Sequence, residues 1–548
     1  MKIEMAQINT DPGDFEGNVK KILTSIERAK RDGAEIVVFP ELTIPGYECM
    51  DLFTMPEFLR QNRHALYDVI TGTSGITAIV GFVDYDEQTL TPDGSYLKYN
   101  AAAVIKDREL LDTVHKTLLP TYDVFDENRY FASAPNRHVT KLSGHTIGVL
   151  ICEDAWDPNY LTKVADELVS GGAEVLISPN ASPFYIDKLK IRMDLIRRKA
   201  KKLGVPFIYA NLVGGHDGYE GEIIFDGQSI AMNSKGEVIG LGKAFEEDHI
   251  LVDLDSSKVI TPHEYESIAQ LHDALILGIK SYFRRAGMSK AFIGLSGGID
   301  SAVVASLAVA ALGKGNVTGI GMPSEFSSDG SVADAKALAE NLGIDFRVIP
   351  IKDIFNSYQS NFLEKEYPNR EFDVADENLQ ARIRGNMLMD YSKRNNGLVI
   401  STGNKTEVAL GYCTLYGDMS GGLSAIADVS KLKVYGLARY INEKTGRIII
   451  PESTISKPPS AELRPNQTDE ASLGIPYDIL SPLVDEIVEA GQTYQELIKK
   501  YPKDVVQKVY RLVQQAEFKR RQAPPGIKVT PKAFGIGRRI PISHGYRG

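Results

Sequence analysis

The stretch A-F-I-G-L-S-G-G-I-D-S-A-V occupies residues 291–303, and its pattern decides the fold of the second half of the chain. An apolar run that favours a strand comes first, a turn of glycine and serine follows, and small residues typical of a buried helix complete it. Adjacent glycines let backbone N–H groups approach an anion, and the N-terminus of the following helix attracts negative charge. The stretch therefore predicts a strand–turn–helix unit that cradles phosphate.

The same turn has a second interpretation, because G-L-S-G-G (294–298) satisfies the G-x-S-x-G pattern of serine hydrolases. A nucleophilic serine needs a histidine base, and His544, close to the end of the sequence, is the only histidine that follows Ser296. The lysine of the kinase-type phosphate loop is also missing before Ser301. We therefore favour a phosphate-binding turn over a serine nucleophile.

Both halves of the chain alternate apolar runs with amphipathic segments, which is typical of α/β folds. Strands are predicted at 35–40, 76–83, 145–152, 174–179, 205–211, 291–296, 317–323, 345–351 and 397–403. A long amphipathic helix is predicted from Glu264 to about Ala286, after a linker at about 256–264. We therefore predict two α/β domains, at 1–257 and 258–548.

Composition excludes several classes of protein. Of the 548 residues, 43% are hydrophobic and 24% are charged, as in ordinary globular proteins, and the formal net charge is −10. That charge argues against general binding to nucleic acid or membrane surfaces, and the longest small-apolar run, about 302–312, is too short to cross a bilayer. Three cysteines in so long a chain do not form a disulfide framework, and the first residues do not resemble a signal peptide. We expect a cytoplasmic protein.

The S-G-G-I-D-S segment (296–301) resembles the loop of the pyrophosphate-loop ATPases, which cleave ATP between the α and β phosphates. Further along, S-T-G-N-K-T-E (401–407) and Y-G-D (416–418) resemble the signature of NAD synthetases. The resemblance implies a doubly wound parallel sheet of the adenine nucleotide α-hydrolase type. It implies ATP contacts from Gly294, Leu295, Ser296, Gly297, Gly298, Ile299, Asp300, Ser301, Met322, Thr402, Lys431 and Ser460.

The same resemblance implies that Asp300 and Glu407 share a Mg²⁺ ion. Each acid follows a predicted strand and opens a predicted helix, so both can lie at one edge of a parallel sheet, where such folds bind ligands. Carboxylates at that edge suit a magnesium ion that is carried by phosphates.

A predicted helix at 376–391, capped by Asp376, completes the resemblance to NAD synthetases. Asn378 and Arg382 are four residues apart and share one face of this helix. The resemblance implies that deamido-NAD is bound by Asn378, Arg382, Glu407, Asp418 and Lys519. One departure is Leu415, because the ammonia-using synthetases have lysine at that position, and this leaves the substrate contacts of the 412–424 loop open.

Three predicted strand ends in the first half carry a reactive residue each: Glu41 in F-P-E-L, Lys116 in H-K-T-L-L-P and Cys152 in I-C-E-D-A-W. Taken singly they could be a surface carboxylate, a surface amine and a packed thiol. Taken in order, over about residues 1–255, they resemble the Glu-Lys-Cys triad of the nitrilase superfamily. Glu127 matches the second glutamate of that superfamily, and the resemblance implies an α-β-β-α sandwich.

The chemistry of this set is consistent, because a thiol with a reference pKa of about 8.5 needs a base at neutral pH. Glu41 would take the Cys152 proton, and Lys116 would hold the oxyanion of the reacting amide. In the glutamine-using synthetases this domain is a glutaminase. That implies glutamine contacts from Tyr122, Glu153, Trp156, Ser182 and Lys188, although Trp156 could equally be a core residue.

Together the two resemblances place the chain with the glutamine-using NAD synthetases, which implies glutamine, ATP and deamido-NAD as substrates and an ammonia channel between the domains. Family members tend to be homo-oligomers, and we expect the same here. Another amidotransferase with the same ATP loop would need an N-terminal cysteine, which Met1 excludes, or a Cys-His-Glu triad. A catalytically inactive protein that binds ATP or a dinucleotide is a third alternative. The oligomer interfaces, the path of the channel and the roles of Cys49 and Cys413 stay open.

Overall fold

The computed structural model describes residues 1–142, 144–255, 258–535 and 537–546. The chain forms two compact units, one comprising Met1–Gly218 with Ile223–Tyr265 and the other Tyr219–Glu222 with Glu266–Gly548. The domain boundary expected between residues 257 and 258 stays a prediction, and Ser256 and Ser257 lie outside the described residues. The α/β class is confirmed.

The first 265 residues contain fourteen strands and four α-helices among the described residues. The strands are β1 (Lys2–Gln7), β2 (Ile36–Val38), β3 (Thr77–Leu90), β4 (Tyr96–Lys106), β5 (Glu109–His115), β6 (Thr140–Leu142), β7 (His145–Val149), β8 (Val175–Asn180), β9 (Phe207–Asn211), β10 (Val213–Asp217), β11 (Gly221–Asp226), β12 (Ile230–Met232), β13 (Val238–Leu241) and β14 (Asp248–Asp253). The helices are α1 (Phe15–Arg31), α2 (Pro56–Gly72), α3 (Val164–Ser170) and α4 (Lys188–Leu203).

Two six-stranded sheets form the centre of this unit, with strand orders β14-β1-β2-β3-β4-β5 and β13-β12-β9-β8-β7-β6. Alternate residues of β2 show the layering: Ile36 and Val38 belong to the core between the sheets, whereas Val37 packs with residues of α1 and α2. The outer face of the second sheet packs against α3 and α4. The unit is therefore the predicted α-β-β-α sandwich, and period-two burial is what allows one strand to serve two layers.

The remainder of the chain contains six strands and fourteen α-helices among the described residues. The strands are β15 (Ala291–Gly294), β16 (Val317–Gly321), β17 (Asp345–Val348), β18 (Leu398–Ser401), β19 (Leu423–Ser424) and β20 (Gly526–Lys528). The helices are α5 (Ser267–Arg285), α6 (Ile299–Leu312), α7 (Asp329–Leu342), α8 (Lys352–Tyr358), α9 (Glu364–Glu366), α10 (Val374–Arg394), α11 (Lys405–Leu410), α12 (Lys431–Thr445), α13 (Glu452–Ser456), α14 (Asp469–Leu473), α15 (Tyr477–Val488), α16 (Tyr494–Leu497), α17 (Lys503–Gln515) and α18 (Glu517–Arg520).

These six strands are parallel and lie in the order β20-β19-β18-β15-β16-β17. The chain runs outward from β15 through β16 to β17, and then returns to the other side of β15 with β18. The order therefore reverses between β15 and β18, so the loops after these two strands diverge and leave a crevice between them. Such a reversal is where doubly wound sheets bind ligands.

One expectation about a helix cap was wrong. The cap of α10 is Asp373, whose side chain accepts a hydrogen bond from Ala375 N, rather than Asp376. Asp376 is the third helical residue, and its carboxylate accepts from Asp373 N at 2.9 Å to form a capping box. Two acids three residues apart both suit a helix start, and only the backbone conformation distinguishes them.

Candidate active sites

In the first unit, the three residues of the predicted triad come from three different strand ends. Glu41 lies after β2, Lys116 directly after β5, and Cys152 after β7 at the start of the 3₁₀ turn Cys152–Ala155. Lys116 Nζ lies 2.6 Å from Glu41 Oε1 and 2.7 Å from Glu127 Oε1, and all three side chains are buried. Strands of both sheets thus bring residues that are far apart in sequence into one sealed cluster.

Cys152 is the residue that this turn presents to the cluster. Its φ is +46°, in the left-handed region that non-glycine residues rarely adopt, which is a feature that concentrates at functional sites. Burial and the charge of Glu41 hold the thiol pKa well above its usual range, and Lys116 opposes them. The thiol is therefore neutral at rest and needs a base to become a nucleophile.

The cluster itself holds Lys116 as a cation. Burial disfavours the ammonium, but the charges of Glu127 and Glu41 outweigh it and keep the Lys116 pKa well above its usual range. Burial raises the pKa of Glu127 to about 8, against the effect of Lys116 and with a further contribution from Glu41. Two glutamates therefore contact one ammonium, and the neutral form of Glu127 is favoured near neutral pH.

Three supporting residues, Asn100, Ala181 and Asp154, were missed by the sequence analysis. Asn100 Nδ2, on β4, donates to Glu41 Oε1 at 2.7 Å, and Ala181 N donates to Glu41 Oε2 at 3.0 Å. Asp154 accepts from Leu118 N at 2.8 Å and from Ile151 N at 3.0 Å, so it ties the loop after Lys116 to the Cys152 turn. Asp154 belongs to the I-C-E-D motif around Cys152, which was a signal that could have indicated its role. Nothing in the sequence around Asn100 indicates its contact with Glu41.

Four of the five predicted glutamine contacts, Tyr122, Glu153, Trp156 and Lys188, lie in or around the same turn. Tyr122 Oη donates to both Glu153 oxygens at 3.0 Å, and Tyr160 Oη, which was not predicted, donates to Glu153 Oε1 at 3.0 Å. Burial raises the pKa of Glu153. Lys188 Nζ lies 4.0 Å from the centre of the Trp156 ring, which is a cation–π contact. A buried carboxylate therefore directly follows Cys152 in the turn, and an ammonium held on an aromatic face acts on that carboxylate.

Ser182, the remaining predicted contact, is buried next to Ala181, and its N–H donates to Asn211 Oδ1 at 3.0 Å. The tryptophan indole has its own partner, since Trp156 Nε1 donates to Tyr209 Oη at 3.4 Å. Trp156 therefore contacts both Lys188 of the predicted glutamine pocket and the buried Tyr209 of the core.

In the second unit, the turn after β15 borders a cavity of about 300 Å³. Gly298 N donates to Ser296 Oγ at 3.2 Å, and Ser301 Oγ donates to Gly298 O at 3.0 Å, so the two serines brace the turn from within. Gly297 has a φ of +79°, and a Cβ there would come within 2.2 Å of Ser331 O. Only glycine fits at this position.

Most of the predicted ATP residues line this cavity, which lies where the strand order reverses. They are Gly294, Leu295, Ser296, Gly298, Ile299, Asp300, Ser301, Met322, Thr402, Lys431 and Ser460. Gly297 packs on Ser331 instead, and the Ser460 hydroxyl donates to Gln467 O at 2.6 Å. Arg384, which was not predicted, also lines the cavity, and its Nε donates to Met322 O at 2.9 Å.

The two predicted metal ligands meet at a lysine in this cavity. Lys431 Nζ lies 2.5 Å from Asp300 Oδ2 and 3.1 Å from Glu407 Oε1. Burial raises the pKa of Glu407 to about 8, while Lys431 opposes the shift and the charge of Asp300 adds to it. Within the described ranges, no group of three or more His, Cys, Asp or Glu side chains is arranged to hold a metal ion. A metal here would need oxygens from another source.

The predicted deamido-NAD residues are divided between the cavity and the loop beside it. Glu407 and Asp418 line the cavity, and burial raises the pKa of Asp418 to about 6. The other three hold the 411–415 segment: Asn378 Oδ1 accepts from Thr414 Oγ1 at 2.7 Å, Arg382 Nε donates to Leu415 O at 3.3 Å, and Lys519 Nζ donates to Gly411 O at 2.8 Å. These residues shape the loop whose substrate contacts the sequence left open.

Comparison with known proteins agrees with this geometry. The chain matches the carbon-nitrogen hydrolase family over residues 2–261 and the NAD synthase family over residues 271–523. It is 44% identical over 559 residues to a glutamine-dependent NAD(+) synthetase of Synechocystis, covering 99% of each chain, and 40% identical to one of Thermotoga maritima, covering 100% of this chain and 99% of the relative.

Solved structures agree as well. A glutamine-dependent NAD+ synthetase of Acinetobacter baumannii in complex with ADP superposes with a TM-score of 0.78 at 35% identity, covering 99% of this chain and 98% of that one. A second such enzyme, from Cytophaga hutchinsonii, gives a TM-score of 0.84 at 23% identity over 99% and 97% of the two chains, which shows the fold alone. In the part of the chain that the structure describes, no helix has the length and apolar character needed to cross a membrane.

Proposed function

The chain belongs to the glutamine-dependent NAD(+) synthetases, and from this premise we propose the role of each residue in its two sites. The enzyme is a ligase that forms a carbon–nitrogen bond with glutamine as the amide donor. It hydrolyses glutamine to glutamate and ammonia, and it amidates adenylated deamido-NAD to give NAD, AMP and pyrophosphate. The alternative amidotransferases and the inactive binding protein do not fit this membership.

The first reaction is glutamine hydrolysis at Cys152. Glu41 takes the thiol proton as the sulfur attacks the side-chain amide carbon of glutamine, and Lys116 stabilises the negative oxygen of the tetrahedral intermediate. The C–N bond then breaks, Glu41 returns the proton to the departing ammonia, and a thioester remains on Cys152. Water activated by Glu41 opens the thioester and releases glutamate.

The observation that carries this assignment is the sealed ion-paired cluster of Glu41, Lys116 and Glu127 beside Cys152. Burying the charge of a lysine costs free energy unless the charge is paired, so a buried, charged Lys116 next to a thiol is best explained by a function. Glu127 contributes by holding Lys116 in place, since the two atoms are 2.7 Å apart.

Glutamine itself carries an ammonium and a carboxylate, and the turn offers a partner for each. Glu153, with its two tyrosine donors, is placed to receive the ammonium, and Lys188 is placed to receive the carboxylate. Tyr122 stays 53% exposed and can contact the ligand from the solvent side. Trp156 and Ser182 complete this proposed pocket.

The second reaction takes place at the cavity of the parallel sheet. We assign the phosphates of ATP to the 294–301 turn, where Ser296, Ser301 and the start of α6 offer donors. Thr402 and Ser460 line the same cavity and complete the ATP contacts, with Met322 on the side of the adenine.

The residues present also fit a Mg²⁺ ion. Asp300 Oδ2 and Glu407 Oε1 converge on one cation position, which the ammonium of Lys431 reaches at 2.5 and 3.1 Å. Magnesium is commonly held by one or two carboxylates together with substrate phosphates, so these two acids would hold it. When bound, the ion would neutralise charge on the departing pyrophosphate. Lys431 would then pair with a phosphate.

The nicotinate carboxylate of deamido-NAD attacks the α-phosphate of ATP and the bond to the β-phosphate breaks, so that pyrophosphate leaves. Ammonia then attacks the carboxyl carbon of the adenylate and AMP leaves. We propose that Asp418 and Glu407 face the dinucleotide from the cavity, and that Asn378, Arg382 and Lys519 support its binding through the 411–415 loop. Passage of ammonia through a channel between the domains at 1–257 and 258–548, assembly into a homo-oligomer and a cytoplasmic location all remain predictions.

The test of this assignment compares two nitrogen sources. The full chain is incubated with deamido-NAD, ATP and Mg²⁺, first with glutamine and then with ammonium, and NAD formation is measured for the wild type and for Cys152→Ala. We expect Cys152→Ala to abolish the glutamine reaction and to retain the ammonium reaction, because Cys152 is needed only to release ammonia. Absence of NAD from both sources with the wild type would overturn the proposal.

A further inference from the structure

Asn404 lies in the loop between β18 and α11 and contacts both proposed metal ligands. Its Nδ2 donates to Asp300 Oδ1 at 2.9 Å, and its Oδ1 accepts from Glu407 N at 3.1 Å. Its own N–H donates to Glu407 Oε2 at 3.4 Å. The side chain is fully buried, so it does not itself meet a substrate. One amide group therefore connects residues from two neighbouring strand ends.

We propose that Asn404 is a positioning residue, which holds Asp300 and Glu407 so that one oxygen of each acid remains for the divalent cation. This inference rests on the proposed function, because it takes those two acids as the magnesium ligands. It assigns to Asn404 a role that acts through the ligands and not on the nucleotide.

The four carboxylate oxygens of Asp300 and Glu407 have two different partners, Asn404 and Lys431. Asp300 Oδ1 is held by the side-chain amide of Asn404, and Glu407 Oε2 by the backbone N–H of Asn404, which a substitution of the side chain leaves in place. Asp300 Oδ2 and Glu407 Oε1 are held by the Lys431 ammonium, which is a cation that phosphate or metal can displace. When Lys431 moves to a phosphate, Asn404 still fixes one oxygen of each acid, and the other two keep converging on one point.

The chemistry requires an amide at this position. Asn404 caps α11 with its oxygen and donates to Asp300 with its nitrogen, and only Asn and Gln side chains carry both groups. Serine would also cap the helix, and its hydroxyl could still donate while it accepts the cap bond, but it ends one bond closer to the backbone than the amide nitrogen that lies 2.9 Å from Asp300 Oδ1. Metal ligands oriented by such partners depend on them, and removing a partner typically lowers metal affinity roughly 10–100-fold.

Mn²⁺ serves as the probe, because its binding can be followed by electron paramagnetic resonance without any turnover. The full chain is titrated with Mn²⁺ in the presence of an ATP analogue that has a methylene group between the α and β phosphates. We expect Asn404→Ser to lower the Mn²⁺ affinity roughly 10–100-fold while leaving the melting temperature close to that of the wild type, because the cap is retained. Analogue binding in EDTA, measured by calorimetry, should stay within about twofold.

Two further variants separate positioning from folding. Asn404→Ala loses the cap as well as the amide, so it should show the same affinity loss together with a lower melting temperature. Thr493→Ala removes the cap of another helix, α16, and should leave Mn²⁺ affinity unchanged. Wild-type affinity in Asn404→Ser, an equal loss in Thr493→Ala, or an equal loss of analogue binding in EDTA would each overturn the inference. Wild-type protein that binds no Mn²⁺ with the analogue would overturn the proposed metal site too, which distinguishes the two failures.

Discussion

The two sites contain the same charge arrangement, a lysine between two carboxylates, but one is closed and the other is open. In the first unit the side chains of Lys116, Glu41 and Glu127 are at most 1% exposed. In the second unit Lys431 is 1% exposed, whereas its partners Asp300 and Glu407 are 18% and 16% exposed at the wall of the cavity. From this difference we infer that burial of the carboxylates decides whether such a lysine stays in place or can be exchanged for another cation.

The largest effect is expected from opening the sealed cluster. Lys116→Met removes the proposed oxyanion donor and leaves the two buried carboxyl groups without their cation, so glutamine hydrolysis should fall by about 10³-fold or more. Glutamate release measures this loss. NAD formation from ammonium is the control and should continue, because Lys116 has no part in the second reaction. Loss of the ammonium reaction to the same extent would show that the whole protein had been damaged.

A smaller but still large loss of activity is expected from a substitution among Lys431, Asp300 and Glu407 at the cavity of the second unit. Asp300→Asn removes one carboxylate charge from the proposed metal site, which should lower NAD formation from either nitrogen source roughly 10²-fold or more. Glutamate release in the same samples should persist, since the sealed cluster is intact. If synthesis were undiminished, the metal site would have been assigned to the wrong acid.

The exchangeability of Lys431 can be tested with metal alone. Its ammonium contacts the two oxygens that a cation would use, so Lys431→Met should increase Mn²⁺ affinity about tenfold in the absence of nucleotide, since a bound counter-charge is removed. Lys433→Met is the matched control, because Lys433 pairs with Asp485 and lies outside the cavity lining. Equal Mn²⁺ affinities in Lys431→Met and Lys433→Met would contradict a competition between the Lys431 ammonium and the metal ion for these oxygens.

The smallest effect concerns stability and pH in the sealed cluster. The pKa of Glu127 is raised to about 8 in the folded chain and lies near 4.5 otherwise, so the stability that this carboxyl contributes is complete below pH 4.5 and is lost as pH rises through 8. Glu127→Gln cannot ionise, and it should flatten the decline in stability between pH 4.5 and 8 by at most about 1.4 kcal/mol per pH unit.

Trp156 is the only tryptophan of the chain and lies in the first unit, so its fluorescence during thermal unfolding reports on that unit. Parallel curves of melting temperature against pH for Glu127→Gln and the wild type would mean that Glu127 does not titrate in this range.

Local patterns in the sequence were enough for the strand–turn–helix units and for the reactive residues at their ends. The strands predicted at 291–296 and 397–403 correspond to β15 and β18, because apolar runs bounded by glycine and serine have few alternatives. The capping of α10 was predicted wrongly, because two acids suit the same helix start and the choice depends on backbone angles. Asn100 was not predicted at all, since its contact with Glu41 depends on the register of β4.

By itself the sequence determined the two-part α/β organisation, the glycine-rich turn and the family to which the chain belongs, because these depend on residue types at short spacing. The tertiary structure alone decided how each lysine and its carboxylate partners are enclosed. Lys116 and Lys431 both follow short apolar stretches, and nothing near them in sequence shows that one is enclosed between two buried glutamates and the other borders a cavity. Burial arises from the packing of strands that are distant in sequence, and burial sets the cost of releasing a charge.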